Sequence, residues 1–424
     1  MTTPTAYTET RKTTPATTAR RGPRAWLAAQ PAWARVLAVY VASRLLSTAL
    51  LGAMFATATA QQWAFASPRI AADFFAFLSS WDASYYRTIA TAGYPAELPL
   101  NTSGEVEPNA WAFLPLFPML SRGLMAVTGL GFNVVAPLIA LVCGGVAALL
   151  LYRMLRLRVG HVPSFWAVVF FCFGPLSFIL QTAYAESLYL ALLFGALWAV
   201  LARRYLLVIP FGVLAAFTRP GILALALMLG IHFLVRLWRS GTPRRWWGRW
   251  APATTQPFSL RDRLSLVAAG LLIAAAGLSW PLIADAVTGY PDAYLETELA
   301  WWTGFVGRQH FAPLTPWFVM STRYLGWWGA VLVLAVAAGF AAWLLRRRIR
   351  PLGHELLTFS GSYALYLVAV FLPQQSLFRM VLPMAPLLGD PALSATRARR
   401  VTLLCVGIAL QPVAIVLLWF VGYP

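Results

Sequence analysis

Ser80-Trp81-Asp82-Ala83-Ser84-Tyr85-Tyr86-Arg87, followed by Ala92-Gly93-Tyr94-Pro95, sets an acid, a base and four aromatics in a short polar break between apolar segments. A carboxylate among aromatics loses solvent and gains proton affinity, which suits a general base. Trp81, Tyr85 and Tyr86 offer flat faces that stack on a sugar or a base, and Arg87 adds a cation. Asp82 also reads as an N-cap for the helix that Ala83-Ser84-Tyr85-Tyr86 would start. The two roles are compatible, and spacing does not choose between them.

Three more charged residues stand where charge is expensive. Glu186 lies in Gln181-Thr182-Ala183-Tyr184-Ala185-Glu186-Ser187, at a helix start. The helix dipole favours an acid there, and the same acid can floor a cavity shared with Asp82. Arg219 lies in Thr218-Arg219-Pro220-Gly221 and Arg379 in Leu377-Phe378-Arg379-Met380, each able to hold a phosphate or carboxylate. Snorkelling, or a pair with Glu186 or Asp285, is the other reading of Arg219. An interfacial anchor is the other reading of Arg379. Arg44, inside the first apolar run, reads as a bundle-interior ion pair.

The elements that position these residues are membrane helices. Of 424 residues 60% are hydrophobic and 11% charged, with a mean hydropathy of +0.68. A soluble domain is nearer half apolar and a quarter charged. Apolar runs near 20 residues recur continuously rather than in alternation, which selects a helical bundle over a barrel. The net charge is +19, and Lys12 is the sole lysine. The arginines cluster between apolar runs, as cytoplasmic loops of membrane proteins do, and this placement argues against a nucleic-acid partner. Cys143, Cys172 and Cys405 lie in apolar runs without ligand spacing, and the four histidines are scattered, so neither a metal site nor a cofactor motif is expected.

Arginine positions set the expected topology. Residues 1–34 form a disordered basic cytoplasmic tail ahead of one transmembrane domain, 35–424. The run Val36–Ala58 is too long for a signal h-region and reads as an uncleaved span. Clusters at Arg153/Arg156/Arg158, Arg203/Arg204, Arg236 to Arg263, Arg346 to Arg350 and Arg397 to Arg400 all face inward if an even number of crossings separates each pair. That requires a hairpin over Tyr205 to Val235, a non-crossing helix over Ala112–Leu130, and about eleven crossings of a ~30 Å hydrocarbon core. Single crossings are expected over Pro163–Leu180 and Leu377–Leu393. Two large outer loops result, 59–132 and 288–325. Within the first, Phe77, Trp81, Tyr85 and Ile89 follow helical spacing over Phe74–Ala92, which predicts a helix lying on the membrane surface. The outer side then collects Asp73, Asp82, Arg87, Glu186, Arg219, Asp285 and Arg379.

Trp81-Asp82-Ala83-x-Tyr85-Tyr86, Gly93-Tyr94-Pro95, Phe113-Leu114-Pro115-Leu116-Phe117-Pro118 and Tyr184-x-Glu186-Ser187 resemble the bacterial relatives of GPI mannosyltransferase II, the PIG-V-like proteins. These are integral-membrane glycosyltransferases of the GT-C class. The resemblance covers roughly Ser80 to Ser187, with looser matches at Thr218-Arg219-Pro220-Gly221 and Phe378-Arg379. It implies a multi-pass plasma-membrane enzyme with an extracytoplasmic active face and a polyprenyl-phosphate-linked sugar, of mannose type, as donor. A lipid-linked or glycan acceptor receives the sugar with inversion. Asp82 is the acid it assigns to the first outer loop, as base toward the acceptor hydroxyl. Trp81, Tyr85, Tyr86, Arg87, Glu186, Arg219 and Arg379 are the substrate-binding candidates. Ala83 follows Asp82 where protein O-mannosyltransferases carry an Asp-Glu pair. A transporter or lipid flippase with a charged intramembrane cavity is the alternative; no inverted repeat supports it.

Overall fold

A computed structural model describes residues 30–63, 73–241 and 257–421. The expected tail, except its last residues, lies outside them. The fold is all-α. Six helices among the described residues are long and apolar enough to cross a membrane. They are α1 (Ala32–Ala60), which starts inside the expected tail, α5 (Phe132–Leu155), α9 (Leu223–Gly241), α10 (Leu260–Thr288), α14 (Trp327–Leu344) and α17 (Arg397–Ile415), the last continuing as a π-helical turn to Val421. Local chemistry sets the ends of α10. Ser259 caps its start by accepting from the Asp262 amide at 3.1 Å, and Gly289 closes it at φ 65°.

Between these helices lie shorter ones. The stretch expected as the first outer loop carries α2 (Phe74–Leu78), α3 (Ala83–Thr91) and α4 (Leu116–Thr128). At 13 residues, α4 spans about 20 Å, short of the hydrocarbon core. Gly129, at φ 71°, ends it and turns the chain into α5. The bundle interior adds α6 (His161–Phe173), α7 (Glu186–Leu201), α8 (Tyr205–Ala216) and α15 (Gly353–Val370). The stretch expected as the second outer loop carries α11 (Ala293–Ala300), α12 (Thr303–Val306) and α13 (Pro316–Leu325), and α16 (Leu377–Met380) follows α15.

Tyr205 to Val235 is a hairpin. The Tyr205 hydroxyl, at the start of α8, lies 3.2 Å from Nε2 of His232, far along α9. One continuous helix would hold those residues about 40 Å apart. Three other expectations change. Pro163–Leu180 is not one crossing helix: α6 stops at Phe173 and a 3-10 turn, Ser177–Gln181, follows. Leu377–Leu393 holds only α16 and a 3-10 stretch, Leu382–Gly389, because Pro383 and Pro386 remove the amides a regular helix needs. Phe74–Ala92 is broken at 79–82. Of the expected surface face, Phe77 and Ile89 are buried in the protein and Trp81 and Tyr85 are half-buried.

The arginine clusters gather at one end of the bundle. Arg158 donates to Glu355 at 2.5 Å. Arg236 and Arg263 both lie over the Phe258 ring, 5.0 and 5.4 Å from its centroid. Arg400 lies over Trp166. Close packing joins α1 to α5, where a side chain at Gly144 would collide with the Tyr40 hydroxyl. Arg44 is buried and has no carboxylate partner among the described residues. It donates to the carbonyl of Cys172 in the last turn of α6, to that of Ser177 in the following 3-10 turn, and to Gln181. Its charge is therefore met by backbone and amide oxygens rather than by an ion pair.

Candidate active site

Three interrupted elements bring charge together. Glu186 opens α7, Arg219 lies just past the end of α8, and Arg379 lies in α16, just ahead of the 3-10 stretch Leu382–Gly389. Interrupted backbone at membrane depth is tolerated where it is buried in protein or lines a cavity. The three side chains meet there, each buried. Arg379 Nη1 donates to Glu186 Oε1 at 2.9 Å, and Arg219 Nη1 pairs with the same oxygen. Glu186 Oε2 is buried without a hydrogen-bond partner.

Asp82 reaches the cluster from the turn between α2 and α3. Its Oδ2 pairs with Arg379 Nη2. It occupies the N-cap position of α3, yet its carboxylate makes no capping bond. Capping in this loop falls instead to Asp73, which accepts from the Ala76 amide at 2.8 Å at the start of α2. The turn before Asp82 is fixed by distant partners. Trp81 Nε1 donates to the Trp419 carbonyl and Trp419 Nε1 donates to the Phe77 carbonyl, both at 3.0 Å. The Ala183 amide donates to Leu78 at 3.0 Å, and the Tyr184 hydroxyl donates to Ser80 at 3.3 Å. Trp81 sits at φ 58°, a left-handed conformation that bulky residues rarely adopt and that surrounding contacts must hold.

The cluster is therefore a chain of alternating charge, Asp82–Arg379–Glu186–Arg219, in which two carboxylates balance two guanidiniums. Tyr184 adds a ring face 5.2 Å from the Arg379 guanidinium carbon. Glu186, Arg219 and Arg379 border a cavity also lined by Tyr189, Tyr363 and Met380. Arg219 Nη2 is 3.0 Å from Met380 sulfur.

The remaining expected residues are placed differently. Tyr85 stacks on Phe113, 4.8 Å between centroids, and meets Trp301 edge-on. Tyr86 is buried against Phe113 and Phe117. Burial pushes its phenol well above the usual range, so it stays protonated beside the charges. Trp81 anchors the loop through its indole, and Arg87 is exposed on α3, outside the cluster. Asp285 accepts from the Ala293 amide at 2.9 Å and joins α10 to α11.

One carboxylate at the site was not among the expected residues. Glu298, on α11, shares a hydrogen bond with Tyr294 and senses the charges of Arg219 and Asp82. Burial raises its carboxyl to about 7, outweighing the lowering by Tyr294 and Arg219. In the sequence it is one of three neighbouring acids, Asp292, Glu296 and Glu298. Only helical phase separates it from Glu296, which turns outward to Arg308 at 2.9 Å.

No protein-family model matches this chain, and a comparison with curated proteins finds no match. Solved structures do resemble it. An oligosaccharyltransferase from Archaeoglobus fulgidus, tethered with an acceptor peptide containing the NVT sequon, matches at 14% identity and a TM-score of 0.44, covering 92% of this chain and 56% of that one. The archaeal oligosaccharyltransferase AglB from Archaeoglobus fulgidus, in complex with an inhibitory peptide and a dolichol-phosphate, matches at 14% identity and a TM-score of 0.45, with the same coverage. The chain thus spans about half the length of the structures it matches.

Proposed function

We propose that this multi-pass membrane protein is a glycosyltransferase that moves a sugar, of mannose type, from a polyprenyl-phosphate donor to an extracytoplasmic acceptor with inversion. The observation carrying this reading is the convergence of Asp82, Glu186, Arg219 and Arg379 from interrupted elements. There a lipid-borne phosphate can arrive along the bundle and an acceptor from the outer loops. The motifs shared with PIG-V-like proteins supply the sugar class.

The ion-pair chain suggests the order of events. The donor phosphate takes guanidinium contacts from the carboxylates, because charge-assisted bidentate bonds to phosphate rival those to carboxylate. Arg379 is then shared with the phosphate, and Asp82 is released to accept a proton. The acceptor oxygen attacks the anomeric carbon, and its proton passes to Asp82. The bond from that carbon to the phosphate oxygen breaks, and its electron pair leaves with the polyprenyl phosphate. Arg219 and Arg379 bear the developing charge in a site shielded from water.

The test is transfer of labelled mannose from polyprenyl-phosphate-mannose by protein reconstituted in liposomes, with membrane extract as acceptor. Wild type transfers and Asp82→Asn does not. Lipid scrambling or solute uptake by wild type without transfer would replace this reading with the transporter one.

A further inference from the structure

Two of the four scattered histidines do not stay apart. At the basic end of the bundle, opposite the ion-pair chain, His232 of α9 and His354 of α15 face each other with stacked rings. Nδ1 of His232 lies 2.9 Å from Nε2 of His354. Glu355 is adjacent, with Oε2 at 3.2 Å from His354 Nδ1. His232 and Glu355 are buried. One ligand-type atom from each residue lies within 4.8 Å of the other two.

We infer that His232, His354 and Glu355 form a binding site for a divalent transition metal of the Zn²⁺ type, fastening α9 to α15. Two imidazoles and one carboxylate are a zinc ligand set that leaves a fourth position for water. The groups around it orient those ligands inward. The Tyr205 hydroxyl engages Nε2 of His232 at 3.2 Å, which turns Nδ1 toward His354. Arg158 holds Glu355 Oε1 at 2.5 Å. The other oxygen, Oε2, is buried and makes only its 3.2 Å contact with His354 Nδ1, so the carboxylate faces the imidazoles. Ligand atoms on one ion at about 2.1 Å stand at most about 4.2 Å apart. A side-chain adjustment closes the difference. Arg158, Arg236 and Arg239 surround the site and oppose a cation. The ligand set, not the field, must hold it, and an ordinary imidazole–imidazole hydrogen bond is the competing account of the same contacts.

Metal analysis of the full chain, purified in detergent from zinc-supplemented cells and desalted, separates these accounts. The site predicts roughly one zinc per chain, retained by His310→Ala on the outer loop and lost by His354→Ala and Glu355→Gln. Titration of metal-free wild type with Co²⁺ gives a visible absorption band that saturates near one equivalent. This second measurement does not depend on any variant folding. Zinc at background level together with no Co²⁺ band would overturn the site and leave the hydrogen-bonded pair. Equal zinc in wild type and both ligand variants would overturn it as well.

Discussion

Arg379 Nη1 donates to Glu186 Oε1 at 2.9 Å across 193 positions of the chain, and Arg219 shares that oxygen. One carboxylate thus bridges two buried guanidiniums, and Asp82 on Arg379 completes the charge balance. Removing one partner of a buried pair strands charge and costs about 3–5 kcal/mol. Glu186→Gln is therefore expected to lower the thermal unfolding midpoint in detergent more than any substitution at the exposed Arg87. Because a phosphate could relieve the stranded arginines, a polyprenyl-phosphate should restore part of the lost stability in Glu186→Gln and add less to wild type. Equal gains in both would mean that the arginines do not receive the phosphate.

Asp82 and Asp73 give opposite outcomes when altered. Asp73 caps α2, so Asp73→Ala should cost about 1 kcal/mol of stability and leave transfer intact. Asp82 makes no capping bond. Asp82→Asn keeps an acceptor for Arg379 but loses the base, so turnover should fall by about 10²–10⁴-fold with donor KM little changed. A matched fall in stability with no loss of turnover would return Asp82 to a structural role.

Much of the scaffold was legible because membrane burial leaves few choices. The arginine clusters and the even-crossing rule require a turn near Arg219, and the Tyr205–His232 contact closes that hairpin. Pro115 and Pro118 mark a stretch unsuited to a lipid-facing helix, and α4 is short. The pairing within the candidate site was narrowed but not fixed, since Asp82 and Arg379 are 297 positions apart and meet only through the fold. The break at Trp81 left no mark, because the four-residue spacing of Phe77, Trp81, Tyr85 and Ile89 continues through it. Contacts from Trp419 and Tyr184 impose the break. Glu298 was hidden by helical phase. His232 and His354 were hidden by distance in sequence.

Sidedness is open to direct test. In a background lacking Cys143, Cys172 and Cys405, Thr102→Cys in the first outer loop and Ser240→Cys at the basic end are both exposed positions. A membrane-impermeant maleimide applied to intact cells should label the first alone, and the second only after permeabilisation. Labelling of both from outside would overturn the even-crossing argument and, with it, the extracytoplasmic placement of Asp82.

Glu298 ties stability to pH with a definite sign. Its folded carboxyl, near 7, lies above the ordinary value of 4.5 because burial disfavours the charged form. Between those two values the folded state holds a proton that the unfolded state has released. Stability contributed by this group is therefore full below about pH 4.5, falls as pH rises toward 7, and levels off above it. Unfolding midpoints measured from pH 5 to pH 8, about the span of that titration, should decline in wild type and decline less in Glu298→Gln. Activity has its own reading: a second carboxylate near Asp82 that ionises close to neutrality should give transfer a limb near pH 7 that Glu298→Gln removes. An unchanged limb in that variant would leave Glu298 as a wall residue held by Tyr294.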